Sequence, residues 1–193
     1  MSVTTWPTLV LAHKLYEHAE FFYVTATTGG THAAGSYHYR GEAEDIGCGM
    51  TAASKALLKL EKGTRFGQMN AMAAFLYLDK QFITELLHTK PLNPFAGWFV
   101  KNGKAVSWRF YGLTTVLAHR DHVHLAITTQ AGADAFLICK VQRALKLPVD
   151  GVKGPKTSAA IKAIQKAYGL TQDSVVGPKT VAAIRKHNGW RPA

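Results

Sequence analysis

Twelve residues, Asp150 to Ile161, recur 23 positions later as Asp173 to Ile184, with nine identities. A repeat of this quality dictates a repeated local structure. In each copy a tight loop ends in Gly-Pro, which puts Pro155 and Pro178 near the first helical position, where a missing N–H costs nothing. The residues that follow are amphipathic at helical spacing: Ala160, Ile161 and Ile164 in one copy, Val181 and Ile184 in the other. With a preceding helix over Leu137 to Leu147, residues 131–193 read as a small all-α unit of three helices. The Gly-Pro-x-Thr residues are expected to act as helix caps. Thr128 to Ala135, small and polar, reads as a short linker that leaves residues 1–130 as a separate domain.

That first domain reads as α+β, with helices on a mostly antiparallel sheet. Leu9, Leu11, Ala12, Leu15, Tyr16 and Ala19 follow a helical pattern, and Phe21 to Thr25 is a short aromatic and β-branched run. Thr51 to Leu60 and Gln68 to Leu78 predict two more helices, with Met69, Met72 and Phe75 in the core. Phe82 to His88 fits a strand or a helix end. Trp98 to Val106 predicts a hairpin, because Asn102-Gly103 can take the positive φ values of a type I′ turn. Thr114 to Thr129 reads as a central strand interrupted at its polar middle.

The net charge of +11 is unevenly spread. Residues 131–193 carry 11 Lys or Arg against 3 Asp, whereas residues 1–130 carry 12 against 9. The C-terminal unit therefore suits an anionic surface, either nucleic acid or a bacterial wall. The longest apolar stretches fall far short of the ~20 residues that span a bilayer, so no membrane insertion is expected. No basic segment precedes Leu9 to Ala12, so the expectation is a protein held in the cytoplasm of its maker until lysis. Cys48 and Cys139 fit ordinary thiols in a reducing compartment; Cys48, three residues after Asp45, is also within reach of a zinc role.

Two stretches carry chemistry. Ser36 to Asp45 holds an imidazole and a carboxylate seven residues apart, His38 and Asp45, with Gly41 and Ala43 small enough for the backbone to fold back between them. Zinc needs at least three protein ligands, and a catalytic site keeps one position for water. The missing ligand is expected in Ala118 to Ile127, where His122 and His124 enter an apolar strand at alternating positions. Polar residues are costly to bury there without a purpose. His38, Asp45 and His124 make a borderline N/O set suited to one Zn2+, with Asp121 placed to act as general base on water. His122 is a candidate to replace Asp45 or to hydrogen-bond an oxyanion, and His119 is a candidate for the latter. Glu85 and His88 form a rival pair at the same acid-x-x-His spacing.

Ser36, His38, Gly41, Ala43 and Asp45, followed by Asp121 and His124, resemble the signature of the zinc peptidases that cut peptidoglycan stems, the D-alanyl-D-alanine carboxypeptidases and L-alanyl-D-glutamate endopeptidases, phage endolysins among them. The resemblance covers about residues 25–130. It implies zinc ligands His38, Asp45 and His124, Asp121 as catalytic acid/base, and a loop role or a hydrogen bond near the site for Ser36. Glu44 departs from it, being a charge where an apolar strand residue is expected. Independently, Asp150 to Thr157 and Asp173 to Thr180 resemble the hallmark of the three-helix peptidoglycan-binding domain, with binding expected from exposed loops and the groove beside them.

Together the resemblances favour the wall over nucleic acid. They imply a monomeric endolysin-type zinc peptidase that hydrolyses an amide of the stem peptide and is held on peptidoglycan by its C-terminal domain. The alternatives are a wall-binding protein with a degenerate peptidase domain, and a bacterial D-alanyl-D-alanine carboxypeptidase.

Overall fold

The computed structural model describes residues 5–26, 34–48, 65–90, 93 and 95–192. The helix expected over Thr51 to Leu60 lies outside them, as does Thr27 to Thr31, a Gly-rich stretch that reads in the sequence as a loop. Six strands form one antiparallel sheet: β1 (Tyr23–Ala26), β2 (Ala43–Gly47), β3 (Glu85–Thr89), β4 (Gly97–Lys101), β5 (Lys104–Ala105) and β6 (His122–Ala126), in the order β1-β2-β6-β3-β4-β5. The helices are α1 (Trp6–His13), α2 (Arg65–Tyr77), α3 (Trp108–Tyr111), α4 (Leu113–Ala118), α5 (Gln130–Ala144), α6 (Pro155–Ala167) and α7 (Pro178–His187). The architecture is α+β with a helical C-terminal part, and no helix among the described residues is long and apolar enough to cross a membrane.

Strand alternation sorts the sheet into two faces. Ile46, Leu86, Val100, Val123 and Leu125 are fully buried in the core, which α1, α2 and α5 cover. Asp45, His122, His124, Glu85, Leu87 and Lys101 stand at the intervening positions and line a cavity on the other side. Glu44 belongs to the core face. It is fully buried, its Oε1 lies 3.0 Å from Nδ1 of the equally buried His13, and the strand keeps its regular pairing with β6. The Asn-Gly hairpin forms as expected, with φ of 48° at Asn102 and 77° at Gly103.

Three expectations are corrected. Thr114 to Thr129 is not one strand: α4 occupies its first part, β6 its middle, and Thr129 caps α5 by accepting from the Gly132 N–H at 3.1 Å. β6 pairs with β2 over 122–126 and with β3 over 124–126, and upstream Leu113–Ala118 satisfies its backbone by turning helical instead. The linker expected over Thr128 to Ala135 is largely the first turns of α5, which packs on α1. In the N-terminal segment, α1 ends at His13, and Leu15 is buried beyond it.

α5 is anchored by charge. Lys140, fully buried, donates to Asp79 at 2.7 Å and to the carbonyl of Phe75 at 2.5 Å, while Arg143 adds a bond of 2.7 Å to the same carboxylate. At the far end of the C-terminal part, the buried Arg185 of α7 donates to the carbonyls of Lys14 and Tyr16 and to the Glu20 carboxylate.

The repeat also turns out to be more than helix capping. Gly154 and Gly177 occupy the cap positions without a side-chain bond, and Pro155 and Pro178 open the helices as expected. Each loop is instead wrapped around a buried glutamine from the preceding helix. Gln142 donates to Asp150, to the Val152 carbonyl and to Thr157, and accepts from the N–H groups of Asp150 and Gly151. Gln165 repeats the pattern with Asp173, the Val175 carbonyl, Thr180 and the Ser174 N–H. A buried amide satisfied at both ends specifies the loop shape. Gly151 has φ of 73°, and a Cβ there would lie 3.0 Å from Phe82 and 3.2 Å from Cys139; Ser174 occupies the equivalent left-handed position at φ 59°.

Candidate metal centre

His38, the first of the candidate ligands, sits on a short 3-10 helix, Tyr37–Arg40. Ser36 caps it, its hydroxyl accepting from the His38 N–H at 3.3 Å, and Gly41 ends it in the left-handed conformation at φ 67°. The chain then turns back into β2. Asp45 is the direct register partner of His124 in β6, so cross-strand pairing sets the second and third side chains beside each other.

His38 Nε2 lies 3.1 Å from His124 Nδ1 and 3.3 Å from Asp45 Oδ1, and His124 Nδ1 lies 3.0 Å from Asp45 Oδ1. Among the described residues, these three are the group of His, Cys, Asp and Glu side chains close enough to share an ion. Cys48 is not one of them.

The donor set fits a metal. Zinc bonds of about 2.0–2.1 Å in a tetrahedron imply ligand-to-ligand edges of about 3.3–3.4 Å, close to the triangle observed. Two ring nitrogens and a carboxylate oxygen converging this tightly are poorly satisfied by protons alone. The buried Nε2 of His124 has no hydrogen-bond partner, its nearest acid being Glu85 Oε2 at 3.6 Å. Glu85 is itself ion-paired with Lys101. A carboxylate facing the outer nitrogen of a ligand histidine favours presentation of the other nitrogen to an ion.

The electrostatics are those of a negative seat. Against the penalty of burial, hydrogen bonds from His124 and His38 hold the Asp45 carboxyl far below the usual range. Burial works to lower His124, but its hydrogen bond to Asp45 and the nearby Glu85 carboxylate prevail and raise it to about 9. Burial pushes His119 down to about 4, and its Nδ1 donates to the Thr115 carbonyl at 2.7 Å, leaving a neutral ring with Nε2 as acceptor.

A pH dependence follows. The folded pKa of His124 without metal exceeds the ordinary value near 6.5, so its stabilisation is fully present below pH 6.5 and is lost as pH rises through about 9. Metal must displace that proton. Melts of the metal-free chain are expected to fall across this window, and titration calorimetry in buffers of different ionisation enthalpy should show proton release on zinc binding below pH 9.

Asp121 is placed differently from the three candidate ligands. Half-exposed, it accepts from His122 Nδ1 at 2.8 Å, a bond that lowers its carboxyl against the effect of burial. The Nε2 of His122 lies 3.9 Å from Asp45, and His122 and His119 line the cavity with ring centroids 4.7 Å apart. The rival pair divides. Glu85 faces the cavity, whereas His88, an odd number of residues along the strand, is buried on the core side between Asn70 and the His122 carbonyl. Glu85, Lys101, Tyr37 and Tyr111 complete an open cleft of about 830 Å3. Strand alternation is the signal that would have placed Glu85 there, but it needs the β3–β6 pairing to be known.

Comparison with known families bears on the other end of the chain. Residues 138–184 match the family model described as "Putative peptidoglycan binding domain". The match runs from the middle of α5 into α7 and includes both glutamine-centred loops. No curated protein matches the chain, and no solved structure does. Residues 138–184 of the helical C-terminal part are thus similar to a peptidoglycan-binding domain. The match supports peptidoglycan as a partner and association with the bacterial cell wall.

Proposed function

We propose that the chain is an endolysin-type zinc peptidase that hydrolyses an amide bond in the stem peptide of peptidoglycan. The observation that carries this reading is the convergence of His38 Nε2, Asp45 Oδ1 and His124 Nδ1 within 3.0–3.3 Å at the floor of a cleft, in a chain that also carries a wall-binding domain. His38, Asp45 and His124 would hold the ion. When bound, zinc supplies Lewis acidity toward a carbonyl and makes water a competent nucleophile near neutral pH.

The protein's own groups manage the protons. The Asp121 carboxylate orients the His122 imidazole through Nδ1, leaving Nε2 toward the cleft. This pair takes a proton from attacking water and returns it to the leaving amine. The neutral His119 lines the cleft where a substrate carbonyl would lie, together with the Tyr111 ring, whose hydroxyl donates to the Val100 carbonyl, and Lys101, paired with Glu85. The binding domain raises the local concentration of the enzyme on an insoluble polymer without entering the chemistry.

The test compares zinc content and release of stem-peptide amines from purified walls for the wild-type chain and Asp121→Ala. Both are expected to hold about one zinc, with amine release by the variant slower by roughly 10²–10⁴-fold. Wild-type protein that binds walls and zinc but releases no amines would overturn the peptidase reading and leave a wall-binding scaffold.

A further inference from the structure

The outer sides of α1 and α7 enclose a groove of about 800 Å3, within the usual range for a ligand site. Its walls are apolar, with Val10 and Leu11 from α1 and Val181 and Ala182 from α7. Two indoles, Trp6 and Trp190, also line it. The charged lining residues are all cations, Lys14, Arg185 and Lys186, with no carboxylate among them. Arg185 is already committed to carbonyls and to Glu20, so it pins the two walls together. The ammonium groups of Lys14 and Lys186 are the ones placed to meet an anion.

We propose that this groove binds the glycan strand of peptidoglycan. The C–H faces of pyranose rings stack on indoles, N-acetyl methyl groups suit the Val and Ala walls, and carboxylates of the attached stems complement Lys14 and Lys186. One wall belongs to the peptidoglycan-binding domain, whose match reaches Ile184; the other, α1, lies outside it. The groove therefore extends the wall-binding surface onto the sheet domain.

α1 also fixes the groove relative to the metal centre. The N–H groups of Thr5 and Trp6 donate to the carbonyl of Gly41, three residues after His38. At its other end, His13 pairs with Glu44, the neighbour of Asp45. A strand held in the groove thus has a set orientation toward the cleft. The inference rests on the wall-binding assignment and is independent of the peptidase reading.

The experiment is co-sedimentation of the full-length chain with purified sacculi. Ala182 is exposed on α7, so Ala182→Glu puts a carboxylate into the groove while leaving the core intact. Ala163→Glu places the same charge on an exposed position of α6, outside the groove, and serves as the control for net charge. Ala182→Glu and Trp190→Ala are expected to weaken sacculus binding by about tenfold or more, as loss of a central contact does. Ala163→Glu should bind like wild type, with both Glu variants melting as wild type does. Wild-type binding by Ala182→Glu overturns the proposal. So does a loss confined to phosphatidylglycerol vesicles, which would make the groove a lipid site. Amine release is measured separately, so an inert chain with groove-dependent binding sinks the peptidase reading alone.

Discussion

Asp45→Ala is expected to abolish metal binding and wall hydrolysis together. Its Oδ1 is the hub of the centre, 3.0 Å from His124 Nδ1, 3.3 Å from His38 Nε2 and 3.9 Å from His122 Nε2. Removing it leaves imidazoles without the anion that fixes their orientation and balances the charge of an ion. Loss of an outer hydrogen-bond partner alone typically costs about 10–100-fold in metal affinity, and loss of a ligand costs more. Zinc measured after dialysis should fall from about one per chain to background, with amine release falling in parallel. This outcome separates Asp45 from Asp121, whose removal is expected to spare the metal. An Asp45→Ala chain that keeps its zinc would place the ion elsewhere and undo the assignment of the centre.

The largest effect on stability is expected at Asp79, far from any chemistry. Asp79 is 1% exposed and accepts from the fully buried Lys140 and from Arg143. Burial already pulls Lys140 down to about 8 despite the carboxylate beside it. Asp79→Ala removes that support and leaves an uncompensated ammonium in the core, a change that costs about 3–5 kcal/mol. For a chain of this size the melting temperature should fall by roughly 6–20 °C. Adding Lys140→Met should recover most of the loss, since a buried pair exchanged for apolar groups is close to neutral. A fall of only a degree or two in Asp79→Ala would mean that water reaches Lys140. The pair also matters for assembly, because α5 carries the start of the wall-binding domain and Asp79 ties it to the sheet domain.

Both effects depend on groups that are unequal in how well the sequence announces them. His38, Asp45 and His124 were legible as a candidate metal set, because few other reasons bring that trio of residue types into such spacing. The 23-residue offset was legible as repeated loops, yet the glutamines at their centres, Gln142 and Gln165, lie upstream of the stretch compared, although they keep the same offset. Glu85 was visible only as half of a rival pair. Its place beside His124 depends on β3 lying next to β6, a contact 39 residues apart in the chain. Asp79 had no local signal at all, since its partners arrive on a helix about 60 residues later.

What the sequence determined alone was chemistry by residue type and structure by local rule: the Asn-Gly hairpin, the Gly-Pro helix starts, the alternating histidines and the basic, repeated C-terminal unit. Tertiary structure decided which of these groups meet. Cross-strand register set Asp45 against His124, and strand alternation sent Glu85 into the cleft and His88 into the core. Folding set Glu44 against His13 and made Asp79 with Lys140 a compensated pair. The physical reason is range. Backbone propensity and side-chain period act over a few residues, whereas the placing of buried charges depends on partners that only folding brings within hydrogen-bond distance.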